Sequence, residues 1–125
     1  MIPFTLTTNE VFGLVNVLVD VRKKLHKTDD GDRAAYRLDR NLATLGGIVD
    51  GVRADLAKRV DEKLNGEQDE AKRSEVFKEL ATLMGGERQE FSLRTLPVAG
   101  LAWAEMDPQL TQPLLRLELV EGELE

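Results

Sequence analysis

Cysteine is absent from these 125 residues. That removes disulfides, thiolate metal sites and a cysteine nucleophile, and it suits a reducing compartment. Aromatic residues are scarce, with four Phe, one Tyr and one Trp, so a core has to be assembled mainly from Leu, Val and Ala. The single histidine, His26, stands among Arg22, Lys23, Lys24 and Lys27. Beside so many cations and without an orienting partner it is a poor metal ligand, and a solvated helix end is its expected place. Long apolar runs are missing as well. The most apolar stretch, 11–21, contains Asn16 and Asp20 and is too short to span a bilayer. The start, MIPFTLTTNE, lacks the positive charge and apolar run of a signal peptide. The expectation is a soluble, cytoplasmic protein forming one domain over 1–125, with no membrane partner.

The familiar signatures of catalysis do not occur. There is no GxSxG elbow, no Walker loop and no dinucleotide fingerprint. Gly46-Gly47 and Gly85-Gly86 lack the context of a phosphate-binding loop and read as packing and cap. Asp29, Asp30 and Asp32 flank Gly31, but a calcium loop needs a bidentate Glu six residues after the Gly, and position 37 is Arg37. Turn chemistry is the better reading. No enzyme is expected, and no catalytic residue, metal ligand or cofactor is assigned.

What the chain does have is helical periodicity. From Asp32 to about Leu64, Leu38, Leu42, Leu45, Val49, Val52 and Leu56 recur at steps of four and three, the seam of a helix packed against other helices. Val60 and Leu64 extend it by steps of four, so the seam drifts round the helix. At ~1.5 Å per residue this helix is roughly 50 Å long. That exceeds the core of so small a protein, so part of it should project or meet another molecule. Beside the seam runs a stripe of small residues, Ala43, Gly47, Gly51 and Ala54. Glycines inside a helix cost about 1 kcal/mol each relative to alanine. Close approach of another helix backbone is the expected return, with a kink at Gly46-Gly47 as the competing reading.

Before this helix, Phe4 to Thr7 alternates as a short strand, and Thr7 and Glu10 have capping-box spacing. A first helix is expected from about Thr8 to Lys27, with Val11, Leu14, Leu18, Val21 and Leu25 as its seam and Phe12, Val15 and Val19 widening it. Val15, Val17, Val19 and Val21 also alternate as a strand would; the cap and the run to Leu25 favour helix. The turn Thr28 to Gly31 makes the two helices an antiparallel hairpin over about 8–64. Asn65-Gly66 can end the second helix with a left-handed cap. A third helix over about 70–84 carries Val76, Phe77, Leu80, Leu83 and Met84. Glu90 to Thr95 reads as a strand pairing with the first and ended by Pro97, and strand and short helices fill 90–125. Asp107-Pro108 starts a helical turn, and LLRLELVE, after Pro113, is helix or strand, with helix favoured. The fold class is mainly α: an antiparallel helical hairpin with a third helix and a minor two-stranded β element.

Charge is uneven. Six acids lie from Glu105 onward against the one base Arg116, which accounts for most of the net −6. Arg22 to Arg40 holds seven bases against four acids. These poles can meet within one chain or between two. Arg33, Arg37 and Arg40 share a face beside Tyr36 and, with Arg22 to Lys27, form a possible phosphate patch. The alternative is a solvated hairpin tip or a dock for the acidic end. Trp103 is a core anchor or an interface hot spot, with core favoured.

The layout then becomes familiar. A TLT start and apolar helix lead to a basic turn and AYRLDRNLATL; later come FSLRTLP, AEMDPQL and PLLRLELVE. This resembles a group of small uncharacterised helical-hairpin proteins encoded by tailed bacteriophages and prophages. The resemblance implies a viral gene product acting in the cytoplasm of a bacterial host or in a virion, and it brings no catalytic residues. The expected function is protein–protein interaction, with self-association through Leu38, Leu42, Leu45, Gly47, Val49, Gly51, Val52 and Leu56. The expected partners are a second copy and an unidentified protein, met through Arg33, Arg37, Arg40, Trp103, Glu118, Glu121 and Glu123. One alternative is an inhibitor of a host nucleic-acid machine (an anti-defence protein) whose acidic end, Glu118, Glu121, Glu123 and Glu125, mimics phosphate. The third is nucleic-acid binding through the basic tip.

Overall fold

The computed structural model describes residues 1–123. The first strand, β1 (Ile2–Thr7), leads straight into α1 (Thr8–Val21). The junction is fixed by the capping box read from the sequence: the Thr7 hydroxyl accepts from the Glu10 N–H at 3.2 Å, and the Glu10 carboxylate accepts from the Thr7 N–H at 3.0 Å. One buried face of α1, built from Val11, Leu14, Leu18 and Val21, meets the long helix α2 (Asp29–Leu64). A hairpin return gives α3 (Glu70–Gly85), followed by β2 (Arg88–Leu93). The fold is mainly α with a minor antiparallel sheet, in which β2 pairs with β1 and Phe4 faces Phe91, their rings stacked at 6.0 Å.

The C-terminal quarter closes the core. Here β3 (Leu96–Pro97) is followed by two short 3-10 turns, Val98–Gly100 and Trp103–Glu105, then α4 (Pro108–Arg116) and β4 (Val120–Glu121). Two residues each of β3 and β4 pair in parallel. Leu93, Leu96, Leu101, Met106, Leu110, Leu114 and Leu119 join the α1 face and Ala34, Leu38, Leu45 and Val49 of α2 in one apolar core. Among the described residues Asn41 is one of two buried polar residues, with Thr8. Its amide donates to the Arg94 carbonyl at 2.9 Å and accepts from the Arg94 N–H at 2.8 Å. Both backbone groups that follow β2 are thereby tied to α2.

Several local expectations are corrected. The first helix stops at Val21, not Lys27. Residues 24–26 leave it because they find partners far along the chain: Leu25 bridges Leu101, the His26 N–H donates to the Gly100 carbonyl, and the Ala102 N–H donates to the Lys24 carbonyl. Val19 is exposed and widens nothing. The long helix starts at Asp29, three residues early, because the Thr28 hydroxyl accepts from the Gly31 N–H and three aspartates fall in the positive first turn. It runs unbroken through Gly46-Gly47 and ends at Leu64, where Asn65 at φ 47° and Gly66 at 88° give the left-handed cap. Pro97 does not end β2, which stops at Leu93; it lies in β3.

The last segment also differs. Pro113 does not open a new helix but lies inside α4. The chain leaves α4 by a Schellman turn with Glu118 at φ 55°, the Leu119 N–H donating to the Leu114 carbonyl and the Glu118 N–H to that of Leu115. Residues after it form β4 rather than helix. Among the described residues nothing packs on the glycines of the small-residue stripe: a Cβ built on Gly47 or Gly51 meets nothing within 4 Å. Gly31 and Gly100 are the opposite case. A Cβ there would strike the backbone carbonyls of His26 and Asp30 respectively, so these glycines let the turn and the 3-10 segment close on α2.

Two stability changes of opposite sign follow. Asn41→Ala takes both Asn41 hydrogen bonds from the half-buried Arg94 backbone and leaves a cavity at a buried site, and should cost about 2–3 kcal/mol in chemical denaturation. Gly47→Ala, in open space within a helix, should add about 0.5–1 kcal/mol. A loss of stability at Gly47 would mean that the helix is not continuous there.

Candidate functional site

Two surfaces gather the residues singled out by the sequence. The first is where the charged poles meet. Arg37, on the third turn of α2, donates to the Glu121 carboxylate at 2.7 Å and to the Thr95 carbonyl at 3.2 Å. The Thr95 hydroxyl donates to the other Glu121 oxygen at 2.6 Å. This clasp holds β4 beside β3 and against α2, and it lies within one chain. The Thr95 hydroxyl and the Arg37 guanidinium together hold the Glu121 carboxyl below its ordinary value of 4.5. Neighbouring bases are matched in the same way: Arg22 pairs with Asp39 at 2.9 Å and Arg33 with Asp30 at 3.2 Å. Of the three arginines expected as a phosphate patch, Arg33 and Arg37 are thus engaged by carboxylates, while Arg40 is exposed.

The second surface is the arm formed by the far half of α2 and by α3. The core receives Leu38, Leu45 and Val49 of the expected self-association set, and Leu42 packs half-buried against it. A second copy cannot reach the buried members. Leu56 is buried farther along α2, Val52 is half-buried, and Gly47 and Gly51 are exposed. Beyond Val49 the helix leaves the core and is accompanied by α3, of whose sixteen residues Gly85 alone is buried. Phe77 is 50% exposed and Leu83 67%. Between the two helices lies a groove of about 730 Å³ whose apolar lining is Leu56, Ala57, Val60 and Phe77. Arg53, Glu70 and Arg73 add charge to its lining. Arg73 pairs with Asp61 at 2.8 Å, and the Arg53 guanidinium lies over the Phe12 ring at 5.8 Å.

The remaining residues fall elsewhere. Trp103 is half-buried on the core and lines a pocket of about 410 Å³ with exposed His26 and with Glu123. Glu118 serves as the left-handed residue after α4, and Glu125 lies outside the described residues. Among the described residues no group of three His, Asp or Glu could hold a metal ion, and no helix is long and apolar enough to cross a membrane. Sequence reasoning missed Thr95 and Asn41, neither of which carries a local signal of a partner more than twenty residues away. It placed Phe77 on the apolar face of α3, but the exposure of that face is legible only once the core is seen to end at Val49.

The clasp has a definite pH dependence. Because folding depresses the Glu121 pKa, its stabilisation is complete above the ordinary carboxylate value and is lost as pH falls through the depressed one. The Leu96 N–H, which donates to the Leu119 carbonyl at 2.7 Å, should then lose protection in acid, measured as its exchange rate relative to that of an unfolded amide at the same pH, and Glu121→Gln should abolish that pH dependence of the protection. NMR titration of the Glu121 carboxyl at its ordinary value would contradict the clasp.

The chain matches no protein-family model, no curated protein and no solved structure.

Proposed function

We propose that this protein works by binding protein rather than by catalysis, and that it associates with itself through the arm of α2 and α3. The observation that carries this reading is the unpartnered apolar surface of the arm. A 36-residue helix extends for ~54 Å, yet its contribution to the core ends at Val49. The rest holds up a second helix whose Val76, Leu80 and Met84 are only half-buried and whose Phe77 and Leu83 are exposed. An exposed Phe lining an apolar groove is the kind of anchor on which protein interfaces concentrate their affinity.

Charge favours a protein partner over a nucleic acid. The arm carries interspersed charges of both signs, several already paired, as in Lys63 with Glu79 and Arg73 with Asp61. A surface for phosphate needs a field of one sign. At the other end of the molecule Arg37 and Glu121 engage each other, so a basic patch and an acidic mimic would each have to break the clasp first. The resemblance of the sequence to small phage and prophage proteins suggests the setting, a bacterial host cell or a virion.

Light scattering over a wide concentration range, at low and high salt, tests the reading. Association should persist at both salts, because burial of Phe77 and its apolar neighbours is not screened. An oligomer that dissolves in high salt would assign association to charge rather than to the apolar surface of the arm, and the mass of one chain under all conditions would overturn self-association.

A further inference from the structure

The groove on the arm is unlike at its two ends. The connection of residues 65–69 makes α2 and α3 antiparallel, so Glu70, the first residue of α3, lies at the tip. Arg53 lies eleven residues before the end of α2, or ~16 Å down the arm, and Phe77 lies ~10 Å down from Glu70. The groove therefore presents a base toward the body, an acid at the tip and an aromatic ring near the middle.

Neither charge has an opposite partner among the described residues. Arg73 is paired with Asp61, but Arg53 and Glu70 take part in no ion pair. The contact of Arg53 is with the Phe12 ring. Stacking engages the face of a guanidinium and leaves the N–H donors at its edge for a carboxylate.

A surface with a cation at one end, an anion at the other and an apolar centre is complementary to itself under a two-fold rotation. We propose that a second copy of this chain docks antiparallel in the groove, Arg53 of each copy meeting Glu70 of its mate, with the two Phe77 rings packed at the axis. The proposal rests on the reading that the chain self-associates, and adds the face and the direction. The body of each protomer then lies at the tip of the other, which leaves the Gly47 and Gly51 face of α2 open.

Reversing charges tests it, because a two-fold interface makes a definite pattern. Arg53→Glu sets acid against acid at both ends, and Glu70→Arg sets base against base. Each alone should raise the dimer dissociation constant by roughly tenfold in sedimentation equilibrium. The double variant Arg53→Glu/Glu70→Arg should recover wild-type association, and so should an equimolar mixture of the two single variants. Phe77→Ser should leave the mass of one chain. Helical circular dichroism and an unchanged melting transition at low concentration establish that each variant folds.

A wild-type dimer that ignores all of these changes would overturn this mode of docking while leaving self-association in place; loss of that dimer in Gly47→Leu would then move the interface to the opposite face of α2. Single variants that weaken association with no recovery in the double variant would also overturn the antiparallel pairing. A wild-type chain that is monomeric throughout would overturn both the mode and the reading beneath it.

Discussion

The constraint on which the structure depends is the mismatch between α2 and its core. Only the first half of this helix has apolar neighbours in the body: Ala34, Leu38, Leu45 and Val49 pack against α1 and the C-terminal quarter. Hydrogen bonding carries the helix on without interruption, and α3 folds back along it. The result is a body closed around an apolar core and an arm that buries Leu56 and Val60 but leaves Phe77 and Leu83 exposed. The buried amide of Asn41 sets the register of the body by holding the backbone at Arg94. A slip of one residue on α2 would strand that pair of hydrogen bonds.

The charged poles meet within the chain. The sequence separates them by more than eighty residues, and the fold returns Glu121 to Arg37. Their pairing closes the C-terminal segment over the core at a point where the two parallel strands contribute only two residues each. An exposed ion pair contributes little by itself. Here the Thr95 hydroxyl and carbonyl join it, so that one arginine orders the ends of two strands at once.

Much of the fold was legible in the residues. Thr7 and Glu10 announced the start of α1, the alternation around Phe4 and Phe91 announced two strands that do pair, and the steps of four and three announced α2. What was hidden was non-local. Leu25 continues the apolar period of α1, yet its backbone belongs to a bridge with Leu101 that no local pattern encodes. Glu118 adopts a left-handed conformation that a glycine would have signalled. The seam of α2 was read as an interface, and its period was correct, but period cannot tell whether Leu38 and Leu45 face another protein or the chain's own α1. The charged poles were visible as composition, and their meeting stood among the alternatives, while the particular pair and the help of Thr95 required the fold. Phe77 gave the weakest signal of all, one aromatic on a mostly polar helix.

The arm groove as the surface of self-association is tested most directly by position-specific cross-linking, which the absence of native cysteine makes clean. Ser74 lines the groove one turn from Phe77, whereas Ala43 lies on the exposed side of α2. Under mild oxidation Ser74→Cys should yield a disulfide-linked dimer and Ala43→Cys should not. Linkage through position 43, or through neither, would contradict docking in the groove.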